Sequence, residues 1–135
     1  MSRRGGKDPA MKWYMPIVAL GLIVAASLSP SPGYAQTAPY DSRLNALAEV
    51  LGSVHYLRNL CTEPSNQWRD EMSQMLAVER PDPIRRSRLV ASFNRGYRSF
   101  ASVYVTCTDQ ARDAADRYAK RGADLAAEID SRYAQ

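Results

Sequence analysis

Leu89, Phe93, Tyr97, Phe100, Tyr104 and Cys107 follow one another at intervals of four, four, three, four and three. An α-helix turns once in about 3.6 residues, so this spacing gathers one large side chain per turn on a single side. An aromatic stripe of that kind has to be covered by neighbouring elements. Between residues 41 and 135 no segment alternates apolar with polar residues, and no Asn-Gly or Asp-Gly hairpin turn occurs. The covering elements are therefore helices, and the expected class is all-α.

Three further helices follow from the same pattern. Leu44, Leu47, Leu51, Val54 and Cys61, with Val50 and Leu57 beside them, form an amphipathic stripe that Asp41 is placed to cap. Glu63-Pro64-Ser65 interrupts the chain and starts a second helix at Pro64 or Ser65, with an apolar face of Trp68, Met72, Met75 and Leu76. That helix must end before Pro81. Asp82 is a good cap and Pro83 a good first residue for the aromatic helix, whose opposite side reads as polar: Arg88, Ser92, Arg95, Ser99 and Ser102. Thr108-Asp109 can cap a fourth helix carrying Ala111, Ala115, Tyr118, Gly122, Leu125 and Ile129 on one face. Continuity of the third and fourth helices through Thr108 is left open by the sequence. Short connections predict an antiparallel up-down-up-down bundle of about four helices, which brings Cys61 and Cys107 to one end.

Residues 1–35 read as a cleaved signal peptide. A basic stretch ends at Lys12, an apolar run extends from Pro16 to Leu28, and Gly33-Tyr34-Ala35 supplies the small residues of a cleavage site. The apolar run is about 13 residues, too short for the roughly 20 that span a bilayer, so no permanent membrane span is expected after cleavage. Met1 and Met11 are both possible starts, since Met11-Lys12 and the apolar run already make a complete signal. The domains are then a signal peptide, 1–35, and a helical bundle, 36–135, exported to the periplasm. There, Cys61 and Cys107, the two cysteines of the chain, are expected to pair. The bond would close a 46-residue loop, for which chain entropy gives about 4 kcal/mol.

Charge and composition exclude several functions. The net charge of +4 comes mostly from the leader, where Arg3, Arg4, Lys7 and Lys12 face one acid, Asp8; the rest of the chain carries 14 bases and 13 acids. A nearly neutral folded part lacks the cationic footprint of a nucleic-acid binder. His55 is the single histidine and reads as a packed or boundary residue; no cluster with metal-ligand spacing surrounds it. Cys-x-x-Cys, a glycine-rich phosphate loop and a Gly-x-Ser-x-Gly elbow are all missing, so neither cofactor nor catalytic residues are expected. Asp70-Glu71 and Asp113 with Asp116 read as solvated helix faces. The local charge that stands out is Arg85, Arg86, Arg88, Arg95 and Arg98, five arginines with no acid among them. Such a group suits either internal ion pairs or an anionic envelope component.

The run from Leu89 to Tyr104 with Thr106-Cys107-Thr108, together with Tyr40-Asp-Ser-Arg-Leu44, the run from Leu51 to Cys61, and Trp68-Arg69, resembles a family of small exported alphaproteobacterial proteins of unknown function. The resemblance covers nearly the whole exported part. It implies an envelope protein of a Gram-negative cell, marked by both cysteines and by Phe93-Asn-Arg-Gly-Tyr-Arg-Ser-Phe100. It transfers no activity and no catalytic residue.

Gly96 in the middle of that mark costs about 1 kcal/mol relative to alanine, which points to close approach of a neighbouring helix or a ligand. Asn94, Arg95, Tyr97 and Arg98 are the expected partner-contact residues of a non-catalytic interaction module that meets an envelope protein or an anionic envelope component. Two other classes fit the same sequence. One is a small-ligand or client-binding, holdase-like protein whose aromatic stripe lines a pocket; the other is an enzyme acting on cell-wall material through helix-borne carboxylates.

Overall fold

A computed structural model describes residues 37–62 and 64–133; the expected signal peptide lies outside the described residues. Four helices follow in order: α1, Asp41–Cys61; α2, Gln67–Glu79; α3, Pro83–Ala101; and α4, Asp109–Tyr133. Among the described residues there is no strand, and no helix is long and apolar enough to cross a membrane.

The helix ends show the local chemistry at work. Asp82 caps α3, its carboxylate accepting from the backbone N–H groups of Ile84 and Arg85 at 2.8 and 2.9 Å, with Pro83 in the first turn. Thr108 caps α4 through its hydroxyl, which accepts from Ala111 N–H at 3.1 Å. Asp41, expected as the cap of α1, is instead its first helical residue, where a carboxylate suits the positive end of the helix dipole. Its Oδ2 accepts from Ala38 N–H, and both oxygens bind Arg85. α2 starts at Gln67, later than Pro64 or Ser65, and ends where Arg80 turns left-handed at φ 43° before Pro81.

The aromatic helix is shorter than its periodicity predicts. α3 stops at Ala101, and Tyr104 and Cys107 lie in the connection to α4, so the two helices are not continuous. Ser99 and Ser102 hydroxyls donate to the carbonyls of Arg95 and Ser99, and the next residues include β-branched Val103, Val105 and Thr106. Both features compete with helix continuation. The connection is held from outside by the Tyr56 hydroxyl, which donates to the Tyr104 carbonyl, and by the disulfide between Cys61 and Cys107, whose Cα atoms are 5.0 Å apart.

α1 is the hub on which each of the other helices packs. Val50, Leu51, Gly52, Ser53, Val54 and His55 are six successive buried residues, so the middle of α1 is buried around most of its circumference rather than along one stripe. One core cluster joins Leu44, Ala48 and Leu51 to Met72, Leu76, Leu89 and Phe93. The other joins Leu57 to Ala111, Ala114 and Ala115, with Phe100 and Tyr104 against it. Beyond the first cluster, Tyr40 packs against Tyr133 with ring centroids 5.2 Å apart and planes tilted by 44°, so the two ends of the described bundle meet.

The α1–α3 seam is close and polar. A Cβ built on Gly52 would lie 1.9 Å from the Phe93 carbonyl oxygen, and one on Gly96 would lie 1.9 Å from that of Glu49. The two glycines therefore let the backbones touch reciprocally. That approach rotates α3 relative to its expected orientation: Ser92, assigned to the outer polar side, is buried and donates to Asn45, while Tyr97 of the stripe sits at the edge, 36% exposed.

Candidate functional site

α2 and α4 both pack on α1, and the space between them stays open. It forms an apolar groove of about 440 Å3. Leu47, Val50, Leu51 and Val54 of α1 make the floor; Trp68, Met75 and Val78 of α2 make one wall; Tyr118, Ala119, Gly122, Ala123 and Ala126 of α4 make the other. Val78 is 79% exposed at the rim. Beyond Tyr118 the α4 wall is low because Ala119, Gly122, Ala123 and Ala126 are small, and a Cβ built on Gly122 would lie 3.2 Å from the Val50 side chain. A continuation of about 280 Å3 shares Leu47, Glu79 and Ala126 with the groove and extends along Leu44 and Ile129 to Tyr40 and Tyr133.

The charged residues that line the two sections are Glu71, Glu79 and Asp130; none of the lining residues is basic. Glu79 is already engaged, 3.5 Å from the Arg85 guanidinium, which also binds Asp41 at 2.5 Å. Glu79 beside the Tyr40 hydroxyl, with burial adding to its effect, pushes the Tyr40 pKa up. Glu71 and Asp130 join no ion pair among the described residues. No serine, cysteine, lysine or histidine lines either section.

The arginines of α3 divide between two roles. Arg85 joins Asp41 and Glu79, and Arg95 reaches Glu49 of α1 at 2.6 Å. Arg86, Arg88 and Arg98 are exposed and form no ion pair among the described residues. Of the expected contact residues, Asn94 and Arg98 are exposed, Arg95 is bound to Glu49, and Tyr97 packs edge-on against Tyr56 at 5.1 Å. They share a helix but do not form a pocket.

His55 is buried, within 3.4 Å of the Asn59 side-chain nitrogen and flanked by the rings of Phe93 and Tyr97 at 5.9 and 6.0 Å. Burial, helped by the charge of Arg69, holds its pKa below the ordinary 6.5. Of the aromatic stripe, Phe93 is 7% exposed and Phe100 packs edge-on against Tyr118, while Tyr97 stays at the edge. The aromatic residues of α3 line neither section of the groove, which opens between α2 and α4. Among the described residues, no three His, Cys, Asp or Glu side chains are grouped so as to hold a metal ion.

The family model described as "Protein of unknown function (DUF2385)" matches residues 39–133. The chain belongs to this family. The DUF2385 match begins just ahead of α1 and ends with the last residue of α4, so it takes in the disulfide, the α1–α3 glycine seam and both walls of the groove. No curated protein and no solved structure matches the chain.

Sequence reasoning missed the groove of this DUF2385 domain, although two signals pointed to it. One is the unbroken uncharged run from Val50 to Val54, more than one helix face can use. The other is the repetition of Ala and Gly in α4, with side chains too small to close the gap to α2.

Proposed function

We propose that this protein is an exported, non-catalytic interaction module of the cell envelope, working in the periplasm through the groove between α2 and α4. The carrying observation is the groove itself: a concave apolar cleft of about 440 Å3, walled by side chains of three helices and lined by no serine, cysteine, lysine or histidine. Concave apolar sites of this size are where ligands and partner segments bury their own apolar surface. The leader-like residues 1–35 and the Cys61–Cys107 disulfide support export to an oxidising compartment.

The contacts along α1 support the up-down-up-down order. Asp41 meets Arg85 and Cys61 meets Cys107, which runs α1 alongside α3 in one direction. Arg58 meets Asp116 and Arg43 meets Glu128, which runs α4 in the other.

The expected contact residues Asn94, Arg95, Tyr97 and Arg98 belong to a different surface, since α3 contributes no residue to the groove. Arg98, with Arg86 and Arg88, remains suited to an anionic envelope component as a secondary contact. A photo-crosslinking side chain placed at Val78, and separately at Arg98, in cells of the native host tests the assignment. Specific adducts from position 78 are expected. Adducts confined to position 98 would move the interaction to α3, and none from either position would end the interaction reading. A small-ligand role uses the same groove and is read by native mass spectrometry as a bound mass lost in Ala123→Trp.

A further inference from the structure

We infer that the occupant of the groove is a cationic amphipathic helix presented by a partner protein; this rests on the groove being the working surface. Three observations lead to it. The first is length. The floor of the groove and its continuation runs from Leu44 to Val54, which at 1.5 Å per residue is about 15 Å, or close to three helical turns. A row of apolar residues spaced three and four apart on one helix fills a trough of that length, which is the way amphipathic helices are held in grooves.

The second is the shape of the α4 wall. Ala119, Gly122, Ala123 and Ala126 present little more than backbone, so an incoming helix can lie close against α4 while its large side chains reach the α1 floor. Trp68 and Met75 on the facing wall supply adaptable apolar area.

The third is charge, and it separates a helix from a lipid. Glu71 on the α2 wall and Asp130 on the α4 wall of the continuation lack ion-pair partners among the described residues. With no basic residue lining either section, a fatty-acid carboxylate or lipid phosphate has no cation to receive it. Lysines or arginines flanking the apolar row of a helix meet a carboxylate on each side. Such rim charges act mainly on selection among partners and on the encounter rate.

The test uses the disulfide-bonded protein and three probes: a synthetic helical peptide of about three turns with a leucine ridge flanked by lysines, the same peptide with glutamates in place of the lysines, and palmitate. Binding is followed by calorimetry and by Trp68 emission, with Trp68→Phe assigning the signal. The lysine peptide is expected to bind at least tenfold tighter than the glutamate peptide. Glu71→Lys with Asp130→Lys should reverse that order, a gain that misfolding cannot imitate. Equal binding of both peptides, an unreversed order in the charge-swapped variant, or binding of palmitate alone would overturn the cationic-helix assignment while leaving the groove as a working surface. Failure of all three probes would bring down both.

Discussion

At Gly52 and Gly96 the backbone of the facing helix has taken the space that a side chain would fill. Alanine is the better helix former by about 1 kcal/mol. A methyl group 1.9 Å from a carbonyl oxygen of the facing helix nevertheless has nowhere to go. Steric cost wins, and either Gly→Ala change is expected to destabilise the fold by roughly 1–3 kcal/mol or more, read as a lower urea midpoint. A midpoint at or above that of the wild type would show that the helices do not meet there. His55 gives a pH signature. Its folded pKa lies below 6.5, so the unfolded chain binds the proton more readily. Its contribution is therefore intact above pH 6.5 and is lost as pH falls through the depressed folded value. The thermal midpoint should drop between pH 7.5 and 5, and His55→Gln should flatten that part of the profile. The sequence showed that Gly96 needed a reason. It did not show that Gly52, nine residues from Cys61, was the other half of the contact, because reciprocity appears only when two helices are placed together.

At the scale of elements, the helix boundaries were legible wherever a side chain acts on its own backbone. Asp82 with Pro83, and Thr108, were read correctly because capping is local. Asp82→Ala is expected to cost about 1 kcal/mol, with amide exchange rising first at Ile84 and Arg85; unchanged protection there would discount the cap. Boundaries set by distant contacts were misread. Periodicity ran through to Cys107 although α3 stops at Ala101, since the disulfide and Tyr56 fix Tyr104 and Cys107 without a helix between them. The facing of α3 was misread for a related reason: size suggested that aromatics point inward, whereas the glycine contact puts Ser92 and Gly96 against α1 and leaves Tyr97 at the edge. The α3 arginines illustrate the limit as well. Their number was visible in the sequence, but the ion pairs of Arg85 with Asp41 and of Arg95 with Glu49 link residues more than forty positions apart.

For the molecule as a whole, the arrangement around α1 separates what stabilises the fold from what remains free to bind. The disulfide closes 46 residues that include all of α2 and α3. Cys61→Ser with Cys107→Ser should therefore cost about 2–4 kcal/mol, a Tm fall on the order of 10–20 °C. A fall of only a few degrees would mean that the reduced unfolded chain is already compact enough for the bond to remove little of its freedom. The contact of Tyr40 with Tyr133 has a different consequence. Because the chain enters and leaves the domain at neighbouring points, a short linker could join those points into a circle, and new ends could be opened in the connection between α1 and α2. The same geometry makes the domain insertable: placed within a loop of another protein, it would spread the flanking residues by little more than the separation of two packed rings.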